Sequence, residues 1–429
     1  MLDLTYIREN ADLVKKAIVN KNTGSPDLVD SVLELDEAWR SVTTKLQEVQ
    51  TAANAEAKKI GKMMKAGKKD EAQAVIAENA RLKQVQKDLE EDQRKAAELL
   101  EAILLEIPNV PHPSVPVGKT PEDNVVAYEW GNKPTFDFDA VPHWDLLDKH
   151  DLADFDRGSK VAGAGFPFYK GAGARFQRSL INFFLNKAVD AGYTEIGAPL
   201  VVNQDSARGT GQLPDKEDLM YEAVRDGLYL IPTAEVPVTN LHRDEILSES
   251  ELPIKYCAYT PCFRREAGSY GKDVRGLNRL HQFDKIELVH FVRPESSYDA
   301  LEELRAHAEK LLQLLGLPYR RLLMCTGDMG FTQAKKYDLE VWSAGQKRWL
   351  EVSSISNFET FQARRMKIRY RPTSDGKAQI IHTLNGSGLA LPRIVAALLE
   401  NYQQADGSIA IPEVIQPYFG SASINSENT

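Results

Sequence analysis

The chain has 429 residues, 42% hydrophobic and 27% charged, the proportions of an ordinary soluble protein with room for two or more domains. Its formal net charge of −9 excludes nucleic-acid binding through an overall basic surface, so any such contact requires a local basic patch. The three cysteines include no Cys-x-x-Cys pair, which predicts a protein of the reducing cytoplasm without structural zinc. The sequence has no apolar run of ~18–20 residues and no signal-peptide pattern, so no membrane segment is predicted.

Residues 28–107, within an N-terminal domain at 1–107, predict two long helices. Apolar residues recur at steps of three and four, the 3.5-residue period of a coiled coil, at Leu35, Trp39, Val42, Leu46, Val49, Ala53, Ile60, Met63, Leu82, Val85, Leu89, Ala96, Leu99 and Ile103. Gly67 marks the turn of an antiparallel hairpin about 55–60 Å long, with ~38 residues in each helix. The tip is basic, and its lysines either face water or lie along nucleic-acid phosphates; they include Lys58, Lys59, Lys62 and Lys65.

Residues 108–141 are predicted to connect this arm to a globular body at 142–420. The connecting segment is rich in proline, but Val110, Val115 and Val117 lie between the prolines and predict that it packs on the body. Residues 421–429 are polar and are predicted to form a disordered tail.

The body begins with a helix predicted at 172–191 and a strand at 193–202. The strand contains Pro199, which indicates an edge strand or a bulge, and a proline in a loop is the alternative. A second apolar strand is predicted at 228–235. It ends in Thr233, Ala234 and Glu235, where a hydroxyl and a carboxylate suit a small polar ligand.

Strands predicted at 255–263 and 283–292 enclose a glycine-rich loop with five cationic side chains, Arg264, Arg265, Lys272, Arg275 and Arg279. Guanidinium groups on such a hairpin can bind phosphate oxygens in pairs, and Phe283 can stack a base. Glu266 and Glu287 among these cations are acceptors for an amine or a hydroxyl. The alternative is a solvated hairpin whose charges face water.

Two segments nearer the C-terminus also carry candidate site residues. A strand is predicted at 349–358, and in a regular strand Glu351 and Ser354 point to opposite faces. Residues 382–401 predict a strand, a glycine turn at Gly386 and Gly388, and an amphipathic helix with a proline in its first turn. Arg393 then lies near the helix N-terminus, where anions are favoured.

These segments resemble the three signature motifs of the class II aminoacyl-tRNA synthetases, and those of the seryl-tRNA synthetase family in particular. The sequence FRREAGSYGKDVRGLNRLHQF resembles motif 2, with Arg264, Glu266 and His281-Gln282-Phe283 at the family's positions. The glycines and Arg393 resemble motif 3, although Pro392 replaces the usual acid. The helix at 172–191 and Pro199 resemble motif 1. The resemblance extends over essentially the full length and implies an α+β fold: an antiparallel sheet flanked by helices, with a coiled-coil hairpin arm.

The resemblance implies a homodimeric ligase that uses ATP and Mg²⁺ to form seryl-adenylate from serine. It would transfer the seryl group to the 3′ end of tRNA(Ser), and of tRNA(Sec) where present, and its arm would reach the long variable arm of the tRNA. The implied ATP-binding residues are Arg264, Arg265, Glu266, Arg279, Phe283, Glu351, Val352, Ser353, Ser354 and Arg393. Arg264 and Arg393 would be catalytic, and Glu351 and Ser354 would hold Mg²⁺ across a bulge. The implied serine-binding residues are Thr233, Ala234, Glu235, Arg264, Glu287 and Ser387.

Two other classes remain open. An amino acid:carrier-protein ligase is related in chemistry, but such relatives lack the long arm predicted at 28–107. A non-catalytic tRNA-binding paralogue is the other alternative, and the intact Arg264, Glu266, Glu351 and Arg393 count against it.

Overall fold

The computed structural model describes residues 1–266, 275–374 and 376–425, so the predicted loop cation Lys272 lies outside the described residues. The chain divides into two compact units, residues 1–19 with 23–108, and residues 20–22 with 109 onward. Among the described residues, no helix is long and apolar enough to span a bilayer.

The helices, in chain order, are α1 (Leu4–Glu9), α2 (Ala11–Lys21), α3 (Asp27–Lys65), α4 (Lys69–Leu104), α5 (His143–Lys149), α6 (Phe155–Ala162), α7 (Gly171–Asp190), α8 (Gln204–Thr210), α9 (Glu235–Thr239), α10 (Ser297–Leu314), α11 (Phe361–Met366), α12 (Leu391–Asn401) and α13 (Gln416–Phe419). The strands are β1 (Val125–Trp130), β2 (Ala153–Asp154), β3 (Phe168–Tyr169), β4 (Thr194–Glu195), β5 (Val201–Asn203), β6 (Glu222–Ala223), β7 (Leu228–Leu230), β8 (Ile246–Ser248), β9 (Ile254–Phe263), β10 (Gln282–Val292), β11 (Tyr319–Leu323), β12 (Lys335–Ser343), β13 (Arg348–Glu359), β14 (Arg369–Arg371), β15 (Gln379–Ile380), β16 (His382–Ala390), β17 (Ile409–Ala410) and β18 (Ser423–Ile424).

The first unit is built on the long antiparallel pair of α3 and α4, which have 39 and 36 residues. Gly67 in the turn has a φ of +75°, which a glycine adopts at little cost. Leu46 and Ala53 are buried in the seam. The Gln93 amide donates a hydrogen bond to the Thr43 hydroxyl across the two helices at 2.9 Å. The predicted hairpin and its turn are therefore confirmed.

The predicted seam is wrong at the base of α4. Leu99 is 58% exposed, whereas Leu100 and Leu104 are buried. An α-helix has 3.6 residues per turn, so a strict 3.5-residue pattern drifts around it. Over several turns the drift brings the neighbouring leucine positions into the helix contact.

The second unit is organised around an eight-stranded sheet in the order β1–β11–β12–β13–β16–β10–β9–β4. Neighbouring strands are antiparallel except for β4 and β9. The main hydrophobic core includes α7, α10 and α12 and alternate strand residues such as Ile286 and Leu288. Because side chains alternate along a strand, Glu287 and Ser387 point to the opposite face from this core. The predicted α+β class with an antiparallel sheet is confirmed, as are the strands at 255–263, 283–292 and 349–358 and the helix at 172–191.

Proline shortens two of the predicted strands. The strand expected at 193–202 is divided into β4 and β5, which belong to different sheets, with Pro199 between them. The strand expected at 228–235 ends at Leu230, before Pro232, so Thr233 and Ala234 lie in the connection to α9. A proline has no N–H for a strand ladder, which explains both interruptions.

Gly386 and Gly388 lie within β16 and do not form the predicted turn. A Cβ at Gly386 would lie 2.1 Å from Leu304 Cδ2, and one at Gly388 would lie 3.0 Å from Ile286 Cγ2. These glycines allow close packing of neighbouring side chains on the sheet. Pro392 occupies the first turn of α12, as predicted.

The connecting segment packs on the second unit, as predicted, but part of it is a strand. The Asn109 amide donates hydrogen bonds to the carbonyl oxygens of Thr332 at 3.0 Å and Phe358 at 2.9 Å. Further along, β1 pairs with β11 at the edge of the main sheet. The high proline content of the segment concealed this strand.

The prediction of a disordered tail is wrong for its first residues. Ser423–Ile424 pair with Ile409–Ala410, and Ile424 is fully buried. Ile424 is the one large apolar residue after position 420, and its burial favours this pairing.

Candidate active site

A cavity of 520 Å³ lies on the sheet face opposite the main core. It brings together predicted residues from separate segments: Thr233, Glu235, Arg264, Glu266, Arg279, Phe283, Glu287, Glu351, Val352, Ser353, Ser354, Ser387 and Arg393. The structure places two other predicted residues elsewhere. Ala234 is buried in an apolar cluster with Val289 and Phe291 and does not line the cavity, and Arg265 is exposed.

Among the described residues, six cationic and four acidic side chains line the cavity. The positive excess suits an anionic ligand such as a polyphosphate. Several polar wall residues were not among the predicted site residues, namely Gln212, Lys216, Asn278, Lys285, Gln333 and Lys336. A signal for Lys285 was available, because it lies two residues before Glu287 and therefore on the same face of its strand.

Glu287 is 1% exposed and its carboxylate is already engaged by neighbouring groups. Lys285 forms an ion pair with it. The Thr233 hydroxyl donates to Glu287 Oε2 at 2.8 Å and accepts a hydrogen bond from Lys285 Nζ at 2.9 Å. These partners offset the free-energy cost of burying the carboxylate. Ser387 lies opposite Glu287 in the register of β10 and β16.

Glu235 is a second buried carboxyl group in the wall. Burial, with a contribution from the Glu287 carboxylate, raises the pKa of Glu235 to about 7. The Gln362 amide donates a hydrogen bond to its Oε1 at 2.6 Å, which opposes this shift. Glu235 therefore changes its charge near neutral pH.

The arginines of the cavity contact backbone or acidic groups. Arg264 Nε donates to the Pro232 carbonyl oxygen at 3.2 Å, and its guanidinium lies 5.1 Å from the centroid of the Phe283 ring. Arg279 Nη1 donates to Glu266 Oε2 at 2.8 Å. Glu266 has a φ of +47°, a conformation that non-glycine residues rarely adopt and that often marks functional sites.

Arg393 projects from the first turn of α12 towards β13. Its Nη1 donates to the Glu351 carbonyl oxygen at 2.8 Å and lies 3.9 Å from Glu351 Oε2. Its Nε donates to the Asn278 carbonyl oxygen at 3.2 Å. Arg393 thus connects the third predicted motif to the strand and the loop that bear other predicted ATP-binding residues.

A β-bulge in β13 brings Glu351 and Ser354 to the same face. Leu339 pairs with Ser353 and Glu340 pairs with Glu351, so Val352 is the extra residue. The extra residue changes the alternation, and both Glu351 and Ser354 line the cavity. The bulge expected from the sequence is present.

The residues around this bulge fit a hard cation. Asp338, paired in register with Ser354, has a buried Oδ1 without a hydrogen-bond partner among the described residues. Burial raises the pKa of this carboxyl group, and the ion pair of its Oδ2 with Lys336 Nζ at 3.1 Å opposes the shift. Carboxylate and hydroxyl oxygens suit Mg²⁺, which takes few protein ligands and completes its shell with water and phosphate oxygens. In the described parts of the chain, no group of three or more His, Cys, Asp or Glu side chains forms a protein-only metal site.

Comparisons with known proteins agree with this geometry. Residues 1–111 match the family model described as Seryl-tRNA synthetase N-terminal domain, and residues 220–402 match tRNA synthetase class II core domain (G, H, P, S and T). The chain is 61% identical to the serine–tRNA ligase of Salinibacter ruber over 427 residues, covering 100% of both chains. It is 50% identical to the serine–tRNA ligase of Bacillus subtilis, covering 99% of both.

A solved structure shows the same similarity. Seryl-tRNA synthetase from Pyrococcus horikoshii, in complex with ATP, matches with a TM-score of 0.92 at 36% identity, covering 99% of both chains. The similarity includes both the helical hairpin and the catalytic core. The chain therefore belongs to the seryl-tRNA synthetase family of the class II aminoacyl-tRNA synthetases.

Proposed function

We propose that the protein is a cytoplasmic, homodimeric serine–tRNA ligase. It activates serine with ATP to give seryl-adenylate and transfers the seryl group to the 3′ end of tRNA(Ser), and of tRNA(Sec) where a cell contains it. The observation that carries this proposal is that Arg264, Arg279 and Arg393 line the same cavity as the buried Glu287. Cations suited to a triphosphate lie there beside an acceptor suited to an amino acid.

In the first step, a carboxylate oxygen of serine attacks the α-phosphorus of ATP, and pyrophosphate leaves. Both reactants carry the reacting groups, so the step needs no protein nucleophile. Arg264 bridges the serine carboxylate and the α-phosphate, while Arg279 and Arg393 hold the distant phosphates and Phe283 stacks the adenine. Catalysis then consists of orientation and neutralisation of charge.

Glu351 and Ser354 would hold the Mg²⁺ that accompanies ATP, with Asp338 beside them. The bound ion supplies neutralisation of phosphate charge. The bulge in β13 is the contribution of the chain, because it aims both oxygen ligands at the same side of the sheet. In the second step, the terminal ribose hydroxyl of the tRNA attacks the carbonyl carbon of the adenylate, and AMP leaves.

Serine-dependent exchange of ATP with pyrophosphate, followed by charging of tRNA(Ser), tests the function directly. We expect both activities, with threonine and alanine much poorer than serine in the exchange. Exchange without tRNA charging would instead support a carrier-protein ligase. Absence of both activities would support a non-catalytic tRNA-binding paralogue.

We assign the serine pocket to Glu287, Thr233, Glu235 and Ser387. The ammonium and hydroxyl groups of serine would join or replace Lys285 and Thr233 as donors to Glu287. A site that buries partners for a hydroxyl rejects an analogue lacking it, because those partners are left unpaired. The alternative is that Glu287 serves only as the structural partner of Lys285.

Glu287→Gln keeps the size of the side chain but removes the charge that matches the ammonium. We expect kcat/KM for serine to fall by about 30–1000-fold, equivalent to ~2–4 kcal/mol, in the exchange assay. The KM for ATP is the internal control and should stay at the parental value, because Arg264, Phe283 and Arg393 are unchanged. Parental activity with serine would show that Glu287 has only the structural role.

Glu235→Gln tests the raised pKa of Glu235. Between the ordinary value of 4.5 and about 7, the native carboxyl group binds more protons than the unfolded one, so its contribution to stability falls as pH rises. Above pH 7 the buried carboxyl group is ionised, and the full free-energy cost of burying its charge lowers the stability of the folded protein. We expect the variant to raise the free energy of unfolding by on the order of 2 kcal/mol at pH 8, and to change it little at pH 4.5, in urea titrations. An equal change at both pH values would contradict this assignment.

We propose that the lysines before the hairpin turn contact phosphates of the long variable arm of the tRNA. Lys58, Lys59, Lys62 and Lys65 are all exposed, and α3 ends at Lys65. These exposed positive charges provide sequence-independent affinity for an RNA backbone.

The double variant Lys62→Glu/Lys65→Glu should weaken tRNA binding and lower the slope of log affinity against log salt concentration by one to two units, roughly one per phosphate contact. Lys83→Glu/Lys87→Glu is the matched control, with the same charge change at exposed positions of α4 away from the turn. Both variants should keep parental serine-dependent exchange. Equal losses of tRNA affinity, or an unchanged slope for the tip variant, would place the contact elsewhere.

We propose that α7 and the segment leading to β5 form the interface of a two-fold dimer, the commonest symmetry among soluble oligomers. Val189, Leu200 and Val201 are 47%, 40% and 42% exposed there, which supports a covered surface. Light scattering at micromolar concentration should give twice the chain mass of 48.0 kDa. A mass of one chain would refute the dimer.

A further inference from the structure

A buried histidine and a buried glutamate, neither of which lines the cavity, lie beneath the second half of the motif 2 loop. His143, the first residue of α5, and Glu400, near the end of α12, are both 0% exposed. His143 Nδ1 and Glu400 Oε1 are 2.8 Å apart. The backbone N–H of His143 also donates to Glu400 Oε1 at 2.9 Å.

The partners of His143 determine which ring nitrogen carries the proton. The backbone N–H of Leu277 approaches Nε2 at 2.9 Å, and an N–H can only donate. Nε2 is therefore an acceptor, and the proton lies on Nδ1, which donates to the Glu400 carboxylate. The Glu400 carboxylate thus fixes the orientation of the neutral ring, and the ring holds the loop backbone at Leu277.

A second hydrogen-bond chain joins Glu400 to the next loop residue. Gln346 Nε2 donates to Glu400 Oε1 at 3.1 Å, and Gln346 Oε1 accepts from Asn278 Nδ2 at 3.0 Å. Ser343 donates to the other carboxylate oxygen of Glu400, as does the backbone N–H of Gly345 at 3.0 Å. Glu400 is thus fully engaged, and two of its hydrogen-bond chains end at consecutive loop residues.

The loop also fits closely against the first turn of α5. Gly276 has a φ of +64°, and a Cβ at this position would lie 2.4 Å from His143 Nε2. The Arg275 guanidinium lies 4.7 Å from the centroid of the Trp144 ring. Only glycine allows the loop to approach the histidine this closely without displacing it.

The held segment is part of the cavity wall. Leu277, Asn278 and Arg279 all line the cavity, and the carbonyl oxygen of Asn278 accepts the hydrogen bond from Arg393 Nε. The position of Leu277 and Asn278 therefore affects two arginines. Arg279 is the next residue in the chain, and Arg393 is bound through this hydrogen bond.

We propose that His143 and Glu400 form a positioning unit that fixes residues 275–279 so that Arg279 and Arg393 meet the phosphates of ATP. The inference rests on the proposed ATP-binding role of these arginines and extends it to two residues that touch no substrate. The unit acts on ATP and not on serine, because Glu287, Thr233 and Ser387 are on other segments.

Two substitutions of His143 separate its two hydrogen bonds. In His143→Gln, the side-chain amide reaches the place of Nε2 and can accept from Leu277. In His143→Asn, the amide reaches only the place of Nδ1, so the bond to Leu277 is lost. In the exchange assay, we expect the asparagine variant to raise the KM for ATP about tenfold, equivalent to 1.4 kcal/mol. The glutamine variant should stay within about threefold of the parent, and the KM for serine should stay parental in both.

Ser343→Ala is the control for a general loss of stability. It removes one donor to Glu400 and one acceptor for Gln346 Nε2, but the hydrogen bonds that end at Leu277 and Asn278 stay in place. It should therefore lower the melting temperature without changing the KM for ATP. The proposal is overturned if both histidine variants shift the KM for ATP equally, if the KM for serine shifts as much, or if neither constant changes. The exchange activity of the parental protein tests the proposed function independently, because it does not depend on the KM changes of the variants.

Gly276→Ala tests the same contact without a substitution in the core, should a histidine variant fail to fold. Its Cβ displaces His143, so we expect the same selective rise in the KM for ATP. Gly227→Ala is the matched control, because Gly227 has a similar φ of +63° but no atom within 4 Å of the added Cβ. Equal effects of the two glycine variants on the KM for ATP would overturn the proposal.

Discussion

The cavity depends on one constraint: the charged side chains of its wall require partners even without a ligand. Lys285 pairs with Glu287, Arg279 with Glu266, and Arg393 contacts Glu351. Lys285 and Glu287 are 6% and 1% exposed, and burying them without compensation would cost on the order of several kcal/mol each. The protein therefore holds its cations and acids in mutual contact, and substrate binding becomes an exchange of partners within a preorganised site.

The two-residue alternation of the strands decides which side chains enter this site. On β10 it sends Ile286 and Leu288 to the core and Glu287 to the cavity. On β13 the alternation alone would separate Glu351 from Ser354, and the bulge at Val352 removes that separation. On β16 it places Gly386 beneath the packed side chains of the core and Ser387 in the cavity.

Most of the cavity wall was predicted from the resemblance to the class II motifs, whereas local patterns in the sequence were sufficient to predict the hairpin arm and the strands β9, β10 and β13. These features repeat within a few residues, so spacing reveals them. Other features depend on competition between the local pattern and packing, and the sequence did not predict them. They are the interruptions at Pro199 and Pro232, the edge strand β1 and the base of the helical seam. The contact of His143 with Leu277 joins residues 134 positions apart, and no local pattern identifies such a pair.

Arg393 and Glu400 are seven residues apart in α12, which is close to two full helical turns of 3.6 residues, and both therefore face the same side of the helix. One inserted or deleted residue between them would rotate one relative to the other by about 100° and shift it along the axis by about 1.5 Å. Only one of the two residues could then keep its hydrogen-bond connection to the loop. Among divergent descendants of this chain, the residues between Arg393 and Glu400 are free to change as long as they fill the core. The number of residues between these two positions is fixed.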